Sequence, residues 1–280
     1  MSEAVVQRGS LRLVHDGYVS SERANDLIAA LAPELARCGA DPPPPQRLEL
    51  GAESVMAKRG KGSASRRLLR FVTRSPSRSL AAYRVGVILR ANMVPTPRPM
   101  AALERRRAGV TLGDVLVTEW VDAPDLSGLL VSAGQDERAS LISSAARSIA
   151  ALHAARCCHR DLKASNLLST PQGEELLLAD LDGAWSSDEA PSYQRRVRDL
   201  SRLILSLVVF PGGGEALSEP SDEDIVRACS ADGALLIERY LEASPGLDAD
   251  GELLQAWQAQ ALAWLREKVR VNRRAGRPLS

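Results

Sequence analysis

Leu27, Leu31 and Leu35 recur at every fourth position within SSERANDLIAALAPELARCG, the repeat of one helical face. Ser20 or Ser21 stands where a cap belongs, and Gly39 with the proline run after it predicts the stop. QRLELGAESVMAKR then reads as two short strands about Gly51, the second delivering Lys58 near its end. Residues 64–92 read as a basic helical segment. VPTPRPMA is expected to be extended, because each proline pushes its predecessor out of helix space. MAALERRRAG and DVLVTEWV predict a strand pair turning near Gly113.

The second half changes period. Leu141, Ala145, Ile149 and Leu152 form a helical apolar stripe, and VRDLSRLILSLVVF predicts a buried helix. PGGG at 211–214 reads as a loop, and a last helix carries Leu253, Trp257, Ala261 and Trp264 on one face as core. No internal repeat is visible. A strand-rich part followed by a helical part is the expected order.

Composition narrows the class without choosing a function. The chain has 280 residues, 45% hydrophobic and 25% charged, as an ordinary globular protein does. Net charge is only +1, but from Ser54 to Leu103 there are eleven Lys or Arg and no Asp or Glu. Such a run suits an anionic acceptor or an anionic membrane surface, and a solvated face of an arginine-rich protein explains it equally well. Phe71 and Tyr83 are its only aromatic residues, which argues against nucleic acid. The four cysteines show no disulfide spacing and the first residues no secretory pattern, so a reducing, cytoplasmic setting is expected. The apolar stretch at 203–210 is too short to span a bilayer.

Candidate chemistry concentrates in CCHRDLKASNLL at 157–168 and LLLADLDG at 176–183. His153, Cys157, Cys158 and His159 could be soft metal ligands, but no C-x-x-C partner pair accompanies them. Phosphoryl transfer needs a carboxylate for the acceptor's proton, a cation and oxygen ligands for Mg²⁺. Asp161, Lys163 and Asn166 supply these on one loop. Leu176, Leu177 and Leu178 read as a short buried strand ending at Asp180, a second metal ligand. Asp182 competes for that role, and Asp180 is preferred because its fourteen positions after Asn166 are close to the spacing of the kinase hairpin that this stretch resembles.

HRDLKASN matches H-R-D-L-x-x-x-N, so the chain resembles the protein-kinase-like superfamily. LRANMVPTPRPMAALE, the compact length and the lack of A-P-E make it similar to the bacterial lipopolysaccharide core kinase family, which phosphorylates Kdo or heptose. The resemblance spans roughly residues 45–210. It implies an α+β, two-lobed fold: a small strand-rich N-lobe at 1–121 with an N-terminal helical extension, and a helical C-lobe at 122–280. It also implies an ATP- and Mg²⁺-dependent transfer to a sugar hydroxyl of an anionic glycolipid, with peripheral contact at the inner membrane. By the same resemblance Lys58 holds phosphates, Glu119 to Val121 bond adenine, Asp161 is the base with Lys163 beside it, and Asn166 and Asp180 bind Mg²⁺. Asp199 resembles a buried aspartate that braces the catalytic loop, while an acid pairing with a neighbouring arginine is its other reading.

Two departures stand out. No G-x-G-x-x-G precedes Lys58, and SLAAYRVG offers no Glu to orient it. Glu53 and Glu104 are the nearest acids in sequence, with Asp180 another substitute. Lys58 is thus expected to order only with nucleotide. A protein Ser/Thr kinase, or a pseudokinase serving as a scaffold, are the alternatives.

Overall fold

The computed structural model describes residues 3–15, 17, 19–36, 44–50, 53–60, 75–170, 175–210, 221–247 and 251–275. Lys61, the Gly51 turn, the loop at 211–214 and residues 64–74 of the expected basic helix lie outside them. The chain divides into two compact units. The first comprises Met1–Ala91, Pro97–Val121 and Leu181–Gly183, and the second Asn92–Thr96, Asp122–Asp180 and Ala184–Ser280.

The first unit is built on an antiparallel sheet of order β1-β2-β5-β6-β4-β3. Its strands are β1 (Ala4–Arg8), β2 (Leu11–His15), β3 (Gln46–Leu50), β4 (Glu53–Arg59), β5 (Pro99–Arg107) and β6 (Val110–Glu119). Helix α1 (Ser21–Ala36) begins at Ser20, whose hydroxyl takes the Arg23 N–H at 3.2 Å and whose carbonyl takes the Ala24 N–H. Leu27, Ile28, Leu31 and Leu35 bury one face of α1 in the core that holds Leu13, Leu103, Val115 and Val117. Each such burial is worth about 1.5–3 kcal/mol. Helix α2 (Arg78–Ala91) belongs to the same unit.

The β5–β6 pair forms as expected, but its turn does not. The chain reverses at Ala108 (φ 47°) and Gly109 (φ 80°), two positive-φ residues of the kind that close a two-residue hairpin. Gly113 instead sits inside β6 opposite Arg105, beside a register shift, where a strand glycine marks a bulge. The β1–β2 hairpin, turning at Gly9 (φ 56°), is an element the sequence pattern did not predict.

The second unit is helical: α3 (Leu126–Ser132), α4 (Gln135–Ala154), α5 (Tyr193–Val209), α6 (Asp222–Ser230), α7 (Asp232–Glu242) and α8 (Gly251–Arg274). Short strands β7 (Cys157–Cys158), β8 (Leu167–Ser169), β9 (Leu176–Leu178) and β10 (Trp185–Ser186) lie among them, paired β8–β9 and β7–β10. Ala145, Ile149 and Leu152 of α4 are fully buried, with Leu203 and Leu207 of α5 and Leu236 of α7. On α8 the buried stripe runs Trp257, Ala261, Leu265, Val269. Trp264, expected in that stripe, is only half-buried, because every-fourth spacing from Trp257 selects Leu265. Trp257 packs edge-on against Tyr193, ring centroids 4.9 Å apart. No described helix is long and apolar enough to cross a membrane.

Candidate active site

In the second unit, α4 runs into β7, and the chain then turns sharply through His159–Asp161. Arg160 sits at φ 66°, a conformation costly for a residue with a side chain. Asp199, buried on α5, holds it there: Oδ2 accepts the His159 N–H at 2.8 Å and Oδ1 the Arg160 N–H at 2.9 Å. Asp199 therefore braces this loop rather than pairing with a neighbouring arginine. Its Oδ2 also lies 3.4 Å from His153 Nε2, and His153 Nδ1 lies 2.9 Å from the Tyr240 hydroxyl. Burial alone would raise the Asp199 carboxyl, but the His153 hydrogen bond and the amides outweigh it and leave it below the usual range. Burial pushes the His153 imidazole below its ordinary pKa against the pull of Asp199, so the pair is carboxylate and neutral imidazole.

His153, Cys158 and Asp199 are the group whose ligand atoms lie within 4.8 Å of one another among the described residues. Both Asp199 oxygens are engaged by backbone, however, and burial pushes the Cys158 thiol up to about 12 and Cys157 up to about 11. The cluster is a buried, hydrogen-bonded core whose one charge, on Asp199, is held by backbone N–H groups.

Asp161 is exposed and its Oδ1 receives the Arg202 guanidinium from α5. Its backbone carbonyl accepts Asn166 Nδ2–H at 2.8 Å, which fixes the Asn166 amide and turns its oxygen to the other side. Asn166 lies in a short 3-10 turn, Ala164–Asn166, that begins after extended, half-buried Lys163. The Ala164 N–H is taken by the Ser206 hydroxyl at 3.0 Å. Asn166 O then accepts the Ala179 N–H at 2.8 Å, and Ala179 O accepts from His159 Nε2, also at 2.8 Å. One web of hydrogen bonds thus joins the backbone at Asp161, Asn166 and the residue before Asp180. Asp180 follows β9 at φ 54°, a second non-glycine residue in the left-handed region. Of the sequence-derived residues in the second unit, Asp161 and Asn166 lie on this web, Lys163 joins it through its carbonyl, and Asp180 follows it directly in the chain.

The first unit holds Lys58, Glu119 and Val121. Lys58 lies on β4 opposite Leu116 of β6, and its Nζ is 3.3 Å from Asp182 Oδ2, both side chains largely shielded. This corrects one expectation: the carboxylate beside Lys58 is none of Glu53, Glu104 and Asp180 but Asp182, passed over above as a metal ligand. Glu53 pairs with Arg23 and Arg98 instead, and buried Glu104 with Arg12. Helix α2 offers no Glu at this place but contributes Arg78, whose Nε donates to Asp182 O at 2.8 Å and lies 3.9 Å from Oδ2. The sequence signal for Asp182 was its place in DLDG; Arg78 carried none.

Gly60, next after β4, lies under Asp114. A Cβ there would meet the Asp114 carboxylate at 2.5 Å. That carboxylate caps α2 by accepting the N–H of Ser79, its second residue, at 2.7 Å, next to Arg78. At the end of β6 the Glu119 N–H donates to Arg98 O and the Trp120 N–H to Ser54 O; half-buried Val121 follows.

WaaP in complex with acyl carrier protein shares the fold, with 19% identity, a TM-score of 0.58, and coverage of 92% of this chain and 98% of that one. A glucosamine kinase in complex with glucosamine, ADP and inorganic phosphate matches at 15% identity and a TM-score of 0.48, covering 93% of this chain and 83% of that one. No curated protein matches the sequence. The sequence profile of the lipopolysaccharide kinase (Kdo/WaaP) family matches residues 49–231. With a kinase-like α+β fold and that match over more than half its length, the chain belongs to the lipopolysaccharide kinase (Kdo/WaaP) family and is a phosphotransferase.

Proposed function

We propose that the protein phosphorylates a sugar hydroxyl of lipopolysaccharide inner core, Kdo or heptose, or of a similar glycolipid, using ATP and Mg²⁺. The observation that carries this reading is the hydrogen-bond web joining the backbone at Asp161, Asn166 and Ala179, because it sets one carboxylate and two oxygen donors on one rigid support. Asn166 Oδ1 and the Asp180 carboxylate are hard oxygen ligands of the kind Mg²⁺ prefers, so the donor set fits. When bound, Mg·ATP supplies the phosphoryl group and neutralises part of its charge.

The chain's own residues do the rest. Asp161, with Oδ1 engaged by Arg202, accepts the acceptor hydroxyl's proton on Oδ2. Lys163, two residues on, offers its ammonium to the transferring group. Lys58, steadied by Asp182, binds nucleotide phosphate. Adenine takes the Glu119 carbonyl and the Val121 N–H, since the N–H groups of Glu119 and Trp120 are already given to Arg98 and Ser54. A glycolipid acceptor places the protein at the cytoplasmic face of the inner membrane as a peripheral visitor, consistent with its cationic run.

Mass spectrometry of core glycolipid from cells with and without the gene tests the reading. The deleted strain should lack one phosphate that wild type carries, and purified protein with Mg·ATP should restore it. Identical glycolipids, or transfer to peptide alone, would overturn it.

A further inference from the structure

A cavity lies beside the loop and is used by none of the steps above. It encloses about 290 Å³ and is lined by Cys158, Arg160, Trp185, Arg195, Arg198 and Asp199, all of the second unit. Arg195 and Arg198 sit three residues apart on α5, so both project from one helical face. Arg195 is stacked on Trp185, its guanidinium carbon 3.9 Å from the ring centroid, and Trp185 is held opposite Cys158 by the β7–β10 pair. Arg160 is held at φ 66° by Asp199. Among the described residues none of the three guanidiniums makes an ion pair, and the one acid in the wall, Asp199, already has its oxygens bonded to backbone.

Three exposed cations converge on one small cavity, one of them held on an aromatic ring, so an anion there could meet all three. A carboxylate is satisfied by a single bidentate arginine. A tetrahedral dianion uses more, and the volume falls at the small end of ligand cavities, too tight for a nucleotide. We propose that this cavity binds a phosphate monoester, the group that a phosphorylated sugar acceptor would carry into the site. Arg160 and Asp161 are consecutive residues, so an anion held by Arg160 would draw its sugar toward the carboxylate that takes the proton. The identity of the acceptor rests on the proposed function; the anion site does not.

Isothermal titration of the full-length protein, without ATP, separates the two. The titrants are inorganic phosphate, a hexose 6-phosphate and the unphosphorylated hexose. Phosphate and the hexose phosphate should bind saturably, and the plain hexose should not. Arg195→Gln with Arg198→Gln should weaken binding by roughly 100-fold, on the order of tenfold per charged hydrogen-bonding group. Single Arg198→Gln should give an intermediate loss, with melting temperature and Mg·ATP binding unchanged in each. Tighter binding of the hexose phosphate than of phosphate assigns the site to the acceptor, and equal affinity assigns it to free phosphate. No saturable binding by wild type, or undiminished binding by the double variant, would overturn the site even if the protein proves to be a sugar kinase.

Discussion

Lys58 and Asp182 form an ion pair, Nζ to Oδ2 3.3 Å, while the helix after Lys58 contains no glutamate. Arg78 from that helix donates to the backbone of the same aspartate. The acid beside Lys58 lies in the turn after β9, and the helix brings a cation to it. Asp182→Asn should therefore lower kcat/KM for ATP by about ten- to a hundredfold, the worth of one charge-assisted hydrogen bond. Steady-state kinetics decides it, and wild-type kinetics in this variant would remove Asp182 from the machinery.

Asp180→Ala should act differently from its neighbour two residues on. Asp180 belongs to the second unit and Asp182 to the first. Loss of Asp180 should abolish Mg²⁺-dependent nucleotide binding, whereas Asp182→Asn should retain its Mg²⁺ dependence with weaker ATP affinity. Titrating ATP at several Mg²⁺ concentrations distinguishes them. The reverse pattern would exchange the two roles.

Asp161→Ala should reduce transfer by about 10²–10⁴-fold while ATP affinity holds, as removal of a general base does. Its carboxylate is exposed and joined to Arg202, so the variant should fold normally. Single-turnover rates beside calorimetric ATP binding provide the measurement. A rate within a few-fold of wild type would deprive Asp161 of the proton.

The buried His153–Asp199 pair sets a pH response. His153 is held below its ordinary value of 6.5, so the folded protein resists protonation that the unfolded chain accepts. Its contribution is full above pH 6.5 and is lost as pH falls toward the depressed folded pKa; the Asp199 contribution, also from a lowered pKa, is lost later, below 3.8. Melting temperature should decline from pH 7.5 to 5.5, and His153→Gln should flatten that decline. A wild-type melting temperature constant across this range would refute the linkage.

Much of the loop was legible because its residues must be contiguous. Asn166 bonds back to the Asp161 carbonyl within one short stretch, and Asp199 braces the loop as its resemblance implied. Helix α1 was equally plain, its leucines buried at every fourth position. What escaped were features fixed by distant partners. Asp182 finds Lys58 across more than a hundred residues, a pairing no local pattern encodes. The β1 strand is a sheet edge with no buried side chain, so it lacks the alternation that announces a strand. Gly113 drew the turn to itself because a glycine serves bulges and turns alike, and the true reversal used Ala108 and Gly109.

Gly60 carries no functional group, yet it governs how freely this part of the sequence can drift. A single methyl there must evict the Asp114 carboxylate, uncap the Ser79 end of α2 and loosen Arg78, the second partner of Asp182. Gly60→Ala should lower the melting temperature and ATP affinity together, whereas Gly134→Ala, whose Cβ meets nothing within 4 Å, should be silent. In a saturation screen for ATP binding, position 60 should rank among the least permissive in the first unit, beside Lys58 itself. An empty position, chosen for the room it leaves, would then be under selection as strict as that on a charged one.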